Sequence, residues 1–171
     1  MPIVPFASLP DSSRVWVFAS DRPVVGAAAD TLLAGVDRYL AEWKAHGMPL
    51  YCARDWRDDR FLAVGVDTTR EHASGCSIDG MFRELRGVEQ EIGIRLLGGG
   101  RVFYREAGGA VTTVARNEVP DAVASGKLTS KTPVFDTALT SAEAWRTKFE
   151  VPADETWTAA LLRGSAQHAR G

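Results

Sequence analysis

Within this 171-residue chain, the residues best placed by type and spacing to do chemistry lie around Gly75-Cys76-Ser77-Ile78-Asp79. Downstream of them Ile78, Met81, Phe82, Leu85, Val88 and Ile92 recur at steps of three and four, so a helix is expected to start near Ser77 or Ile78. Free backbone N–H groups and the positive end of the helix dipole face outward at such a start. A thiolate there acts as a nucleophile or a redox centre, which makes Cys76 the first candidate. Ser77 is expected to cap the helix and Asp79 to sit in its first turn. The same stretch also reads as ordinary capping, with Gly75 at the bend and Cys76 a small buried filler.

His72 and Asp67 are the candidate bases for Cys76. Arg22 or Arg70 would clamp an anionic substrate. Asp21, Arg22, Arg70, Ser77 and Asp79 form the expected ligand-binding set, with Thr68 beside them. His46 and Cys76 suggest a Cys-His dyad. Yet His46 is expected to end a helix of about 17 residues, some 25 Å from that helix's start, and so to lie at the opposite edge. An Asp67–Asp79 pair could hold Mg²⁺ or share a proton. Cys52, Cys76, His46, His72 and His168 are scattered, and no H-x-x-x-H or H-E-x-x-H spacing occurs, so no metal and no cofactor are expected.

The elements that must position these groups are legible along the chain. Arg14–Ala19 reads as a strand. Asp30 can cap a helix reaching His46, with Leu32, Leu33, Val36, Leu40 and Trp43 on one face. Residues 50–56 and 61–66 read as a hairpin across Arg57–Arg60. The Cys76 helix follows, then a tight corner at Gly98-Gly99-Gly100. Residues 102–105 and 111–114 form a second hairpin across Ala107-Gly108-Gly109. Thr140–Glu143 looks like a capping box for a helix through Trp145 to Phe149. A last amphipathic turn carries Trp157, Leu161 and Leu162.

The order strand, helix, strand, strand, helix, strand is that of the ferredoxin-like split βαβ unit. The expected fold is α+β: an antiparallel sheet extended by a fifth strand, with a short helical C-terminal part. One domain over 1–162 is expected, with its core at 12–115, helices within 117–162 and a flexible tail at 163–171. Strands one and three are expected to be parallel neighbours, which would gather Asp21, Asp67 and Cys76 at one rim. The C-terminal helices are expected to cover the open face, with Trp16, Trp56, Trp145 and Trp157 filling that layer.

Composition excludes several classes of function. Lys plus Arg number 20 and Asp plus Glu 22, giving a net charge of -2. That balance argues against a nucleic-acid partner and against an anionic membrane. Prolines interrupt the N-terminal apolar residues, so a signal peptide is not expected. Two cysteines without C-x-x-C spacing fit a reducing cytoplasm.

Pro5-Phe6, Leu9-Pro10, Ser13–Trp16, Trp43–Gly47, Arg60-Phe61, Ser74-Gly75-Cys76-Ser77-Ile78-Asp79, Glu150–Ala153 and Trp157 together resemble a family of short uncharacterised bacterial proteins. The resemblance runs from about residue 2 to 158. Members are sometimes labelled "ABC transporter ATPase", but the chain has no phosphate-cradling G-x-x-x-x-G-K-[ST] loop. Ser125-Gly126-Lys127-Leu128 lacks both the first glycine and the hydroxyl after lysine. The resemblance implies no catalytic residue.

Two functions follow as expectations. One is a non-catalytic domain that binds a small molecule, a protein partner or a second copy of itself as a homodimer. The alternative is a small thiol-dependent enzyme built on Cys76.

Overall fold

The computed structural model describes residues 3–97 and 100–168. The expected corner at Gly98-Gly99 and the last three residues lie outside that range. In chain order the elements are β1 (Arg14–Ser20), α1 (Ala27–Glu42), β2 (Lys44–Ala45), β3 (Met48–Pro49), β4 (Cys52–Arg57), β5 (Phe61–Val66), α2 (Gly75–Ile92) and β6 (Leu96–Leu97). They continue with β7 (Arg101–Arg105), β8 (Val111–Ala115), α3 (Val119–Ala124), β9 (Pro133–Phe135), α4 (Ala142–Thr147), β10 (Glu150–Pro152) and α5 (Thr158–His168). The architecture is mixed α+β with antiparallel sheets. The chain divides into two compact units, Met1–Gly98 with Leu139–Arg146 and Gly99–Ala138 with Thr147–Gly171.

The first unit carries a sheet of order β4-β5-β1-β6. β1 pairs antiparallel with β5, Trp16 facing Val64 and Phe18 facing Leu62. β4 also pairs antiparallel with β5, so β1 and β4 run parallel with β5 between them. This overturns the expectation that strands one and three are parallel. The helix crossover makes β1 and β4 the parallel pair, and the hairpin then returns β5 in the opposite sense. α1 and α2 therefore start from opposite ends of the sheet.

Strand alternation gives the sheet two buried faces. Trp16, Phe18, Cys52, Leu62, Val64 and Val66 join Leu32, Val36 and Leu40 of α1 and Met81, Leu85 and Val88 of α2 in one core. The two helices approach closely because small residues sit at their contact. A Cβ on Gly35 would lie 2.9 Å from Val88 Cγ2, and one on Gly80 would lie 2.7 Å from the Tyr39 hydroxyl.

Phe6, Leu9 and α4 cover the other face. Gly65 makes room there, since a Cβ would meet Leu9 Cδ1 at 2.5 Å and Phe6 Cε2 at 3.2 Å. Trp145 is fully buried and donates its indole N–H to Asp55 at 2.8 Å, while the Arg57 guanidinium stacks on its ring. Of the four tryptophans expected in this layer, only Trp145 takes that role. Trp16 and Trp56 pack on the helical side, and Trp157 packs in the second unit.

Several boundaries move. α1 ends at Glu42, not His46: Trp43 is already extended, and His46 (φ 51) and Gly47 (φ 80) turn a two-residue hairpin between β2 and β3. Ser141, not Thr140, caps α4 by accepting from the Ala144 N–H. α5 runs through His168, so the expected tail begins inside a helix.

The second unit has its own sheet, of order β10-β9-β7-β8. The expected fourth and fifth strands, residues 102–105 and 111–114, form its β7–β8 hairpin and do not extend the first sheet. The strand that pairs with the free edge of β1 is the two-residue β6. Val102, Tyr104, Val119, Leu128 and Val134 form a second core, with Trp157, Leu161 and Leu162 packed on it. The short strands β9 and β10 each have only three residues, too few to show an alternating pattern.

Candidate functional site

The antiparallel helices of the first unit redistribute the candidate residues between two rims. At the upper rim, where β1 ends, Asp21 exchanges hydrogen bonds with Arg95. Its N–H donates to the Arg95 carbonyl at 3.2 Å, and its Oδ1 accepts from the Arg95 N–H at 3.4 Å. Arg22 donates to the carbonyl of Gly93, the residue that ends α2 in the left-handed conformation. Beside them Arg60 is buried and donates to the Ser20 carbonyl at 3.4 Å. Burial lowers its pKa, with Asp21 opposing that shift.

The lower rim holds the start of α2, the end of α1 and the loop after β5. α2 has 18 residues, so about 27 Å separates its ends. Asp21 and Arg22 therefore lie at the far end of α2 from Cys76, against the expectation that they share its rim. His46 undergoes the opposite correction. It follows α1 at the lower rim, on the same side as Cys76, in the turn between β2 and β3.

The start of α2 is built by local hydrogen bonds. Ser74 is the N-cap: its Oγ accepts from the Ser77 N–H at 3.2 Å. Ser77, expected as the cap, lies inside the helix, where its hydroxyl donates to the Ser74 carbonyl at 2.8 Å. The helix opens at Gly75, so Asp79 falls in the second turn and not the first. The Ser77 carbonyl also accepts the Tyr39 hydroxyl at 2.8 Å and the Trp43 indole N–H at 2.9 Å. Two aromatic residues four apart, Tyr39 in the last turn of α1 and Trp43 just past its end, thus pin the end of one helix to the start of the next. Sequence reading placed Trp43 on the apolar face but missed this polar use. The only signal was the presence of ring N–H and O–H groups at helical spacing in a core stripe.

Asp67 is buried, and its carboxylate is engaged within its own loop. Oδ1 accepts the Thr69 N–H at 3.0 Å and the Thr69 hydroxyl at 2.6 Å; Oδ2 meets Arg70 Nε at 3.3 Å. The Arg70 guanidinium also stacks over Tyr51, 4.2 Å from the ring centroid. His72, Cys76 and Asp79 are exposed. The expectation of a buried filler at Cys76 fails, and that role falls to Cys52. The Cys52 thiol is fully buried, donates weakly to the Leu40 carbonyl at 3.5 Å and is pushed by burial up to about 12. Among the described residues no group of three or more His, Cys, Asp or Glu could hold a metal ion. No described helix is long and apolar enough to cross a membrane.

Next to this rim an open cleft of about 430 Å³ is lined by Arg38, Tyr39, Glu42, Trp43, Lys44 and Glu84. Arg38 and Glu84 approach to 3.9 Å across it. Burial raises the Tyr39 phenol above its ordinary value, with Arg83 pulling the other way. Compared with protein-family models, curated proteins and solved structures, the chain gives no match.

Proposed function

We propose that this protein is a non-catalytic binding domain whose contact region is the lower rim of its first unit, centred on the cleft between α1 and α2. One observation carries the reading: the fixed polar groups beside Cys76 are already used inside the fold. Ser74 and Ser77 cap and staple α2, and Asp67 holds Thr69 and Arg70. A general base must have a free acceptor within reach of the proton it takes, which the engaged Asp67 carboxylate does not offer. The cleft offers instead two aromatic side chains set by their own hydrogen bonds and a rim of mixed charge, a pattern suited to orienting a ligand or peptide.

The strand order β4-β5-β1-β6, with a helix in each crossover, supports classing this unit as ferredoxin-like. Ser74 and Ser77, within one of the stretches that resemble the family, are accounted for by capping and helix stapling, which fits a structural role for them. Two free cysteines, one buried and one exposed, fit a reducing cytoplasm.

The thiol-enzyme alternative rests on the exposure of Cys76 at the start of α2. Timed alkylation with iodoacetamide separates the two. The binding reading expects Cys76 to react between pH 6 and 7 no faster than free cysteine. A rate ~10-fold or more above free cysteine there would overturn it.

A further inference from the structure

We propose that the β8 edge of the second unit is a self-association surface on which two copies of this chain pair their β8 strands antiparallel about a two-fold axis at Thr112. The surface is independent of the α1–α2 cleft and goes beyond the function proposed for it.

The argument starts from which backbone groups are already paired. The β7–β8 hairpin closes with the Glu106 N–H on the Ala110 carbonyl, and at its other end the Arg116 N–H reaches the Gly100 carbonyl. In the register Arg101↔Ala115 to Arg105↔Val111, even-numbered residues therefore exchange the ladder bonds. Val111, Thr113 and Ala115 point their N–H and C=O groups away from β7, at the free edge of the sheet. The Ala115 N–H is already taken by Glu118 Oε2 at 2.9 Å. Among the described residues, that leaves both backbone groups of Val111 and of Thr113.

Two of the other edges, β4 and β10, are shielded. On β4 the Cys52 carbonyl accepts the Val4 N–H, and the Asp55 carboxylate blocks the Trp56 N–H. β10 is three residues long and ends in Pro152. β8 has neither proline nor charge. Its Val-Thr-Thr-Val-Ala run is five residues with four β-branched side chains.

A row of alternating donors and acceptors is complementary to another strand, and a second copy carries the same row. Symmetry then selects the register. Centring the axis on Thr113 would place Val111 opposite Ala115, whose N–H is spent. Centring it on Thr112 places Val111 opposite Thr113 of the second copy, and Thr113 opposite its Val111. That arrangement uses every free group in four hydrogen bonds and sets Thr112 against Thr112. No directly opposed residues carry like charges, because the strand has no charged residue. The two four-stranded sheets would join into one. A five-residue strand makes a small interface, so the dimer is a weak, reversible one.

The test is sedimentation equilibrium of the full chain from ~5 to ~300 μM, where a weak dimer is populated. Wild type should move from monomer to dimer across that range. Thr112→Lys sets two ammonium groups face to face and should weaken association at least ~10-fold, as should Thr112→Glu. An equimolar mixture of the two variants should associate again. Thr113→Pro removes an edge-facing N–H without touching the β7 ladder and should also give monomer. Wild type that stays monomeric at the highest concentration overturns the proposal. So does a dimer that survives Thr112→Lys and Thr113→Pro, or a Lys/Glu mixture that stays monomeric. If Thr113→Pro fails to fold, the Lys/Glu pair decides the matter, with circular dichroism melts of each variant as the control.

Discussion

Replacing Gly80 by Ala should change sign with the residue that faces it. In an isolated helix Gly→Ala is worth about 1 kcal/mol of stability. Here the added Cβ would lie 2.7 Å from the Tyr39 hydroxyl oxygen, a distance that real Cβ atoms do not adopt. That hydroxyl is held by its 2.8 Å bond to the Ser77 carbonyl. Moving it forfeits roughly 1 kcal/mol of hydrogen bonding and adds ~1 kcal/mol or more of overpacking. The helix gain offsets one of these, so Gly80→Ala should destabilise by about 1 kcal/mol. In a Tyr39→Phe background the oxygen is gone, and the nearest atom becomes the ring carbon Cζ at 3.6 Å, an ordinary contact. There Gly80→Ala should stabilise by about 1 kcal/mol, giving a coupling near 2 kcal/mol. Urea denaturation of the four variants, followed by tryptophan fluorescence, measures it. A Gly80→Ala effect of the same sign and size in both backgrounds would refute the close helix approach at this point.

Other expectations concern single groups. Native protein should react with one equivalent of a thiol reagent at Cys76 and with a second only after unfolding, because Cys52 is fully buried. The folded pKa of Cys52 is raised from 9.0 to about 12, so its contribution is complete below pH 9 and is lost as pH rises from 9 towards 12. At pH 10 wild type should have lost on the order of 1 kcal/mol from this source, seen as a steeper alkaline fall in stability than Cys52→Ala shows. Ser74→Ala removes the cap of α2 and should cost about 1 kcal/mol, whereas Cys76→Ala, at an exposed position, should leave stability within about 0.5 kcal/mol, both read from thermal melts. Trp145→Phe leaves a cavity and takes from Asp55 its indole donor, and should cost about 2 to 3 kcal/mol in urea denaturation.

Local patterning in the sequence located most elements of the first unit. The α2 stripe from Met81 to Val88 and the β-branched run of β1 have periods that only one secondary structure satisfies. The ends were less legible. His46-Gly47 reads as a helix stop, yet the same pair satisfies a positive-φ turn, and nothing local distinguishes the two. Strand direction was the costly error. Neighbouring positions in a sheet do not fix sense, and the sense of β5 decides whether Asp21 or His46 shares a rim with Cys76. Assigning residues 102–105 to the first sheet failed for a related reason. A two-residue strand such as β6 has no period to detect, whereas residues 102–105 carry the next strong β-branched and aromatic run. Within the site, the exposure of Cys76 and the commitment of Asp67 depend on loop hydrogen bonds that residue type alone does not specify.

Leu139–Arg146 rejoins the first unit only after Gly99–Ala138 has been laid down in the second. A ribosome therefore releases the β-hairpin and both long helices well before the indole that seals the far side of their sheet. Until Trp145 emerges, part of that face is bare on the nascent chain, the state in which aggregation and chaperone capture compete with folding. A fragment cut after residue 98 would keep that bare surface permanently, so the first half of the gene should not yield a well-behaved protein on its own.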